Sequence, residues 1–406
     1  MTWLAAFAVV AWAYLLLAHG RFWQAGPSLA PMSGPSPDVD VVIPARDEAA
    51  GIADALRSLM TQDYAGRLRL FVVDDASTDG TGEIARRFLP PLPPGEGRGE
   101  GNDRPGLVSV KTATPTPEVS AGSLPHPNGL TVIVGRPRPA GWSGKVWAVA
   151  QGVDRTTAPL ILLTDADIVH DPRHVATLVA KAERDGLDLV SEMVELRCTS
   201  GAERALVPAF VYFFQMLFPF ARVNDPMDDT AAAAGGTMLV RRRALERIGG
   251  IGAIRGALID DVALATAIKR GGRIWLGHSQ LARSIRPYPA AGDMWRMVAR
   301  TAYVQLRFSP WVLAATVFGL GLVWLVPPVL TVSGHGMAQG LAALAWAGSM
   351  LSFVPTLRRS RLSPLWALAL PGIAGFYLAA TIGSALDHHR GRGVQWKRRA
   401  YTEAGA

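Results

Sequence analysis

Cysteine is nearly absent from this chain of 406 residues, which contains a single one, Cys198. One cysteine cannot form an intramolecular disulfide and cannot supply a cysteine-based zinc site. Charged residues are also scarce, at 18%, while hydrophobic residues make up 49%. This composition is too apolar for an ordinary soluble enzyme of this length. It indicates that part of the chain lies in a membrane.

The balance of charge is basic, with a formal net charge of +8 at pH 7. Such an excess is typical of chains that bind nucleic acid, anionic lipid or phosphate-bearing substrates. The sequence lacks a run of basic residues interleaved with aromatics, which a nucleic-acid surface would need. We therefore expect the membrane as a partner, and no nucleic acid.

Long apolar segments lie near both ends of the chain. Residues 3–19 carry no charge and are just long enough to cross a bilayer. They have no basic n-region and no clear cleavage site, so they predict a retained anchor rather than a signal peptide. Three further candidate spans lie in the last quarter of the chain, at 310–332, 337–355 and 362–386.

Between the apolar segments, strands alternate with helices. Apolar runs such as "VDVVIPA", "LRLFVVDDAS", "LTVIVGR" and "LILLTDAD" predict strands, and helices are predicted at about 49–61 and 79–88. Apolar strands that alternate with helices indicate an α/β domain with a mostly parallel sheet, buried on both faces. Residues 89–130 are rich in Pro, Gly, Ser and Thr, and they predict a disordered insertion.

The predicted organisation has five parts: a transmembrane anchor at 1–20, a linker at 21–37, an α/β domain at 38–305, a membrane domain at 306–387 and a basic tail at 388–406. Within the α/β domain, residues 206–220 are aromatic-rich and too short to span a bilayer. They predict either a core helix or an interfacial helix that seats the domain on the membrane.

Acidic side chains end one of the buried strands. In "LLTDADIV" the apolar run stops at Asp165 and Asp167, and alternate residues of a strand point to the same face. Paired carboxylates at this spacing suit Mg²⁺ or Mn²⁺, which usually also hold a substrate phosphate. A turn is the alternative interpretation, because Asp is common in turns.

Three other stretches carry similar signals. Asp74 and Asp75 end a second strand and precede a helix, whose N-terminus can accept negative charge. Lys145 lies in a glycine-flanked turn, and Asp260 and Asp261 open an amphipathic helix. Each stretch alone could be a helix cap or an ordinary surface lysine. Their combination, in this order on an α/β chain, favours a shared site.

In this combination the sequence resembles a membrane-anchored family 2 glycosyltransferase with the GT-A fold. Within that group it looks most like the hopene-associated glycosyltransferases of bacterial hopanoid gene clusters. The resemblance runs from "VVIPARDE" through "AAAAGGTMLVRR" to "VQWKRRAY" and leaves out residues 89–130. It implies that an inverting enzyme moves a sugar from a nucleotide-sugar, a UDP-sugar, to a lipid acceptor with the help of a divalent metal.

The resemblance also implies roles for individual residues. Those implied to bind the nucleotide-sugar are Pro44, Arg46, Glu48, Asp74, Asp75, Lys145 and Asp165. In this group the first three lie near the base and ribose, and the Asp pair contacts uracil. A metal ion on Asp165 and Asp167, aided by Lys145 or an arginine, would neutralise the leaving diphosphate.

The implied catalytic base is Asp261, the second acid of a pair in which Asp260 replaces the usual glutamate. A carboxylate can take the acceptor's hydroxyl proton, and a single displacement implies inversion. The "QXXRW" signature of processive synthases is missing; "QLRFSP" offers Gln305, Arg307 and Phe308 at a shorter spacing. Its absence disfavours polymer synthesis.

Several alternatives stay open at this point. The acceptor could be a polyprenyl phosphate or a growing polysaccharide. "LLTDADIV" also fits a haloacid-dehalogenase-like phosphatase, in which Asp165 would be the phosphorylated nucleophile. The chain could also be a membrane scaffold that has lost activity, although its acidic motifs are intact. His170, which follows the acidic pair, is expected to be a loop histidine.

The resemblance places the protein in the bacterial inner membrane with its catalytic domain facing the cytoplasm, where activated sugars are made. Pro371 and Gly372 divide the segment 362–386 into pieces too short to span alone. We therefore predict a re-entrant or interfacial hairpin there, buried by surrounding protein. The basic tail would then stay in the cytoplasm, in agreement with the positive-inside rule.

Overall fold

The computed structural model describes residues 1–89, 129–391, 395–396 and 399–400. Most of the predicted insertion at 89–130 and most of the tail at 388–406 lie outside the described residues. The strands are β1 Val39–Ala45, β2 Leu68–Asp74, β3 Leu130–Val134, β4 Leu160–Thr164, β5 Ile168–His170, β6 Leu189–Glu195, β7 Thr237–Arg241, β8 Ile274–Ser284, β9 Gln395–Trp396 and β10 Arg399–Ala400.

The helices surround the sheet and continue beyond it at both ends of the chain. They are α1 Thr2–Leu17, α2 Ile52–Met60, α3 Thr81–Arg86, α4 Gly144–Val153, α5 His174–Asp185, α6 Gly201–Leu217, α7 Phe220–Val223, α8 Arg242–Arg247, α9 Asp260–Lys269, α10 Ala291–Ala299, α11 Ala302–Gln305, α12 Pro310–Leu320, α13 Val326–Ser333, α14 Gly336–Arg359 and α15 Leu370–His389. A π-helical turn, Gly321–Leu325, joins α12 to α13, and a 3₁₀ segment, Pro364–Ala369, precedes α15.

The main sheet is mixed but mostly parallel, which confirms the predicted α/β class. Its strand order is β3-β2-β1-β4-β7-β6-β8-β5. The first four strands are parallel, whereas β7 runs antiparallel to both neighbours and β5 antiparallel to β8. All residues of β1 and β4 are buried, as expected for strands that helices cover on both faces.

Parallel pairing brings the ends of three central strands to one edge of the sheet. Ala45 at the end of β1 pairs with Asp74 at the end of β2, and Val42 pairs with Leu163 near the end of β4. Ligands of open α/β sheets bind outside such carboxyl ends. The predicted acidic residues that follow these strands therefore share one edge.

The N-terminal helix is shorter than the predicted anchor. α1 has 16 residues, or about 24 Å at 1.5 Å per residue, which is less than the roughly 30 Å of a bilayer's hydrocarbon core. Trp12 is buried, donates Nε1 to the carbonyl of Val323 and meets Trp324 edge-on. The predicted linker also packs on the domain, because Leu29 is buried and Ser28 forms a bridge with His278.

Three helical runs after the α/β domain are long and apolar enough to cross a membrane: Pro310–Ser333, Gly336–Arg359 and Pro364–His389. The last is a continuous run of 26 residues, so the predicted hairpin at 362–386 is wrong. The reason is the position of Pro371, which lies in the first turn of α15. A proline there lacks only an N–H that has no intrahelical acceptor, so it does not break the helix.

The ends of these helices contact segments next to the α/β domain. Arg359 at the end of α14 donates to Ser28 Oγ over 2.6 Å. At the far end of α15, His388 stacks on Phe308 with ring centroids 4.5 Å apart, and Ser384 Oγ accepts from the backbone N–H of Tyr303. The end of α15 thus lies beside the residues that lead into α12.

The aromatic-rich helix α6 connects the two parts of the molecule. Its N-cap Ser200 and Glu203 form a capping box, which fixes the start of the helix. Tyr212 is buried and hydrogen-bonds Ser352 of α14 over 2.6 Å, and the backbone carbonyl of Leu206 accepts from Tyr377 of α15 over 2.7 Å. This helix therefore packs on the apolar helices instead of lying within the α/β core.

Candidate active site

The loops after β1 and β2 hold the first group of predicted residues. Arg46 lies 3.3 Å from the carboxylate of Asp75, which is 2% exposed and whose N–H donates to the carbonyl of Ala45. The neighbouring Asp74 accepts the N–H of Ser77 through Oδ1. The structure therefore brings Arg46 and Asp75 together as a charge pair, while Asp74 shapes the loop.

These two loops also hold strained backbone. Asp47 and Ala76 have φ angles of 50° and 53°, in the left-handed region that few residues other than glycine adopt. The Asp47 N–H donates to Ser77 Oγ, and its Oδ1 accepts the N–H of Thr78 over 2.8 Å. Such strain persists only where surrounding bonds fix it, and it is frequent at functional sites.

The predicted metal-binding pair follows β4. Asp165 lies 2.9 Å from Lys145 Nζ, whereas Asp167 Oδ2 accepts from Ser284 Oγ at 2.8 Å and lies 3.1 Å from Arg286 Nε. Both carboxylates follow β4 at the carboxyl edge of the sheet, but each faces a different cation. Asp167 is also buried, with 8% of its surface exposed, although it lies just beyond a strand.

Lys145 connects two of the predicted motifs. It lies in the first turn of α4 rather than in the predicted turn before it, and it also lies 3.3 Å from Asp260 at the start of α9. Burial by itself would lower the pKa of Lys145, but Asp165, Asp260 and Asp261 outweigh this effect and raise the pKa above its ordinary value. The lysine therefore stays charged at the centre of three carboxylates.

The proposed base, Asp261, is held by two backbone donors. Its Oδ2 accepts the N–H of Gly235, and its Oδ1 accepts the N–H of Val262, both over 2.8 Å. Burial, followed by the charge of Asp260, raises the pKa of Asp261 to about 6. A side chain at Gly235 would place its Cβ 3.2 Å from Asp261 Oδ2 and 3.3 Å from Lys145 Nζ, which explains the glycine.

A cavity with an empty volume of about 350 Å³ opens beside this cluster. Predicted residues in its wall are Pro44, Lys145, Asp165 and Asp260, and apolar ones include Val149, Leu163, Met238 and Leu264. Residues from β1, α4, β4 and α9 therefore share one cavity, although they are far apart in the sequence.

Two side chains of the site were not singled out by the sequence. Arg286 donates through Nη2 to Glu48 Oε1 over 2.6 Å, and both Arg286 and Ser284 reach Asp167. Glu48 and Asp167 thus share Arg286 as a partner. The sequence predicts that Lys145 or an arginine helps to neutralise the leaving diphosphate, but it does not identify which arginine. The segment "SIRPYP" carries no motif that would do so; only the pairing of β5 with β8 brings it here.

The residues present fit a divalent metal that is shared with a substrate. Among the described residues, no group of three or more Asp, Glu, His or Cys side chains is placed to hold an ion. Mg²⁺ is usually bound by one or two carboxylates together with substrate phosphates, not by an all-protein cage. Asp167 already receives a guanidinium and a hydroxyl on one oxygen, as expected of an ionised carboxylate that attracts cations.

The histidine after the acidic pair belongs to a buried network. His170 and His174 are joined through their Nδ1 atoms over 2.8 Å, and His174 Nε2 lies 2.8 Å from Glu192 Oε2. His170 also hydrogen-bonds Thr164, the residue before Asp165. It is therefore a core histidine behind the acidic loop rather than a loop residue.

Two family models match the chain. Residues 40–97 match the one described as Glycosyl transferase family 2, and residues 121–402 match Glycosyl transferase family 21.

Two curated N-acetylglucosaminyltransferases show local similarity. The one from Rhizobium leguminosarum bv. viciae is 41% identical over 56 residues, 14% of this chain and 13% of the relative. The one from Mesorhizobium japonicum is 48% identical over 50 residues, 12% of each. The chain spans about an eighth of the length of these relatives.

A solved structure is similar over almost the whole chain. The mannosyltransferase PcManGT from Pyrobaculum calidifontis, solved in complex with GDP-Man and Mn²⁺, has a TM-score of 0.56 and 20% identity. The match covers 95% of this chain and 99% of that one. It supports the predicted GT-A fold. Because the family 21 match covers residues 121–402, more than half of the sequence, this chain belongs to glycosyl transferase family 21.

Proposed function

We propose that this protein is a membrane-bound, inverting glycosyltransferase that moves a sugar from a UDP-sugar to a lipid acceptor, with a hopanoid as the candidate acceptor. The observation that carries the proposal is the bridge from Lys145 to Asp165 and Asp260, with Asp261 beside it. It places Lys145, a cation that can bind a diphosphate, next to Asp261, a carboxylate that can act as a base. The hopanoid is proposed from the sequence resemblance alone.

The proposed chemistry needs three contributions from the chain. Asp167 would hold a divalent metal, which supplies positive charge to the departing diphosphate. Lys145 stays protonated beside its carboxylates and adds charge to the same leaving group. The hydroxyl oxygen of the acceptor attacks the anomeric carbon of the sugar, and the bond from that carbon to the diphosphate breaks. Asp261 takes the proton of the hydroxyl in the same step. A pKa of about 6 leaves this base deprotonated at neutral pH yet still able to accept a proton.

A lipid acceptor is supported by the short path from the site to the apolar helices. Tyr288, two residues after Arg286, donates its N–H to Glu203 Oε1 of α6 over 2.8 Å. The same helix is bonded to α14 and α15. The segment after β8, which binds Asp167 through Ser284 and Arg286, is thus attached to α6, the helix that packs on the apolar helices. We therefore propose that the acceptor approaches from the bilayer.

Donor binding is expected to depend on metal. Full-length protein in detergent should bind UDP more tightly with Mn²⁺ than without it, because the ion compensates the charge of both the acidic site and the diphosphate. Calorimetric titration of UDP in both conditions measures the difference. Equal affinity in the two titrations would overturn the metal role, and absence of binding in both would overturn the donor.

We further propose that the catalytic domain faces the cytoplasm of a bacterial inner membrane and that α15 does not make a third crossing. The helices α12–α13 and α14 are joined only by Gly334 and His335, so they form an antiparallel pair whose outer ends lie on the domain side. α15 starts shortly after Arg359 and ends against Phe308. These contacts support an α15 that lies along the membrane interface with both of its ends on the domain side, and we propose that the tail stays in the cytoplasm.

Cysteine labelling tests this topology. In a Cys198→Ala background, Ala406→Cys should not react with an impermeant maleimide in intact cells and should react once the membrane is opened. The matched control is His335→Cys, at the exposed turn between α13 and α14, which should react in intact cells. A reaction of Ala406→Cys in intact cells would place the tail outside and refute the proposed arrangement.

A further inference from the structure

Arg286 bridges two carboxylates beside the acidic loop. Its Nε lies 3.1 Å from Asp167 Oδ2, and its Nη2 lies 2.6 Å from Glu48 Oε1. The guanidinium side chain is 32% exposed, whereas the side chains of Asp167 and Glu48 are 11% and 15% exposed. The arginine therefore covers two nearly buried acids and is the one of the three that faces solvent most.

The segment that carries Arg286 is fixed to the acidic loop without the guanidinium. Ser284 Oγ donates to Asp167 Oδ2 over 2.8 Å, and the N–H of Ile285 donates to the Asp167 carbonyl over 3.0 Å. Strand pairing of Ile168 with Ser284 adds a third connection. The head group of Arg286 can consequently move while the loop keeps its shape.

A metal ion and the guanidinium compete for the same carboxylate. Two cations on the Asp167 carboxylate would repel each other strongly in a partly buried site. A diphosphate offers the arginine a better partner, because a guanidinium matches phosphate oxygens with two parallel hydrogen bonds. When metal and diphosphate bind together, the metal ion can therefore replace Arg286 on the Asp167 carboxylate, and the guanidinium can pair with the diphosphate instead.

We propose that Arg286 is a donor-binding residue with two successive partners: Asp167 in the ligand-free protein and the diphosphate of the donor once a metal ion occupies Asp167. This inference rests on the proposed function, since it needs a diphosphate ligand. In the ligand-free state the arginine keeps the acidic site compensated. In the bound state it holds the leaving group, alongside Lys145 on the other side of the acidic loop.

A purely structural role for Arg286 predicts a different result. If the arginine only clamps Asp167 and Glu48, its removal disorders the site and weakens binding of metal and nucleotide alike. If the arginine exchanges partners, its removal changes the affinities for metal and for nucleotide in opposite directions. Mn²⁺ alone should bind several-fold more tightly because its competitor is gone. UDP at saturating Mn²⁺ should bind roughly tenfold to hundredfold more weakly, the size expected for loss of a charge-assisted hydrogen bond.

The experiment compares full-length wild type, Arg286→Ala, Arg286→Lys and Arg283→Ala in detergent. Arg283 is the matched control, because it is an exposed arginine near the end of β8, three residues before Arg286. Mn²⁺ binding without nucleotide is measured from the electron paramagnetic resonance signal of the free ion, and UDP binding by calorimetry. Arg286→Lys keeps the charge but loses the paired geometry, so its UDP affinity should be intermediate; it carries the test if the alanine variant does not fold.

Opposite shifts in Arg286→Ala, with Arg283→Ala like wild type, would support the exchange. Weaker binding of both ligands, or unchanged UDP binding, would overturn it while leaving the proposed function intact. Wild-type protein that binds no UDP would overturn the proposed function and this inference with it. The two failures are therefore distinguished by the wild-type titration.

Discussion

Replacing Asp261 with asparagine is expected to lower turnover by roughly 10²-fold or more while donor binding stays nearly unchanged. The amide has the size of the carboxylate but cannot accept the proton of the acceptor. The N–H groups of Gly235 and Val262 donate to different oxygens of Asp261, so replacing one oxygen with an NH2 group loses one of these two contacts. Turnover and UDP affinity are measured on the same preparation, with thermal melting as the check on folding.

The matched control is Asp260→Asn, which removes one of the carboxylates near Lys145 and should have the smaller effect on turnover. Wild-type turnover in Asp261→Asn would show that another residue is the base. A larger loss of turnover in Asp260→Asn than in Asp261→Asn would identify Asp260 as that residue. The pH profile offers a second readout. Because the pKa of Asp261 is raised from 3.8 to about 6 and the base acts deprotonated, kcat/KM should fall as the pH drops below that value.

Asp167→Asn is expected to reduce turnover by at least roughly 10²-fold and to abolish the effect of Mn²⁺ on UDP binding, because a neutral amide holds a divalent ion poorly. Asparagine is preferred to alanine for a structural reason. A residue at a strand exit should tolerate truncation, but Asp167 is buried and bonded to Ser284 and Arg286. Truncation would leave the buried hydroxyl of Ser284 without its acceptor, at a cost of about 1–3 kcal/mol, and would remove one of the two carboxylates that Arg286 contacts.

Asp171→Asn is the control for that variant. Asp171 lies just beyond β5 and pairs with Arg173 at the surface, so its replacement changes the same charge on the same segment. It should leave Mn²⁺-dependent UDP binding and turnover at wild-type levels. If Asp167→Asn still binds UDP more tightly with Mn²⁺, the ion is held elsewhere.

The fold class could be predicted because its cause is local. The buried strands β1 and β4 are continuous apolar runs, and only a sheet covered by helices on both sides satisfies them. The acidic motifs could be expected to share a site, and the structure gives the reason: the parallel strands that precede Asp74 and Asp165 end at the same edge. Asp260 and Asp261 begin α9 as predicted, since acidic side chains favour the first turn of a helix.

The parts that could not be predicted depend on contacts between distant segments. Arg286 meets Asp167 only because β5 pairs with β8, across 119 positions of sequence. The hairpin at 362–386 was wrong because a proline's effect depends on where the helix starts; the 3₁₀ segment from Pro364 makes Pro371 an early residue of α15. The packing of Leu29 and Ser28 likewise arises from the folded domain, because a Pro/Gly/Ser composition alone predicts a free linker.

Product formation tests the central claim most directly. Detergent-purified protein is incubated with Mn²⁺, a panel of nucleotide-sugars and lipid acceptors that includes hopanoids and polyprenyl phosphates, and the products are identified by mass spectrometry. We predict a lipid whose mass has increased by one sugar residue, formed from a UDP-sugar by the wild type and at least roughly 10²-fold more slowly by Asp261→Asn. Release of free phosphate without any glycosylated product, or equal product from Asp261→Asn, would contradict the account.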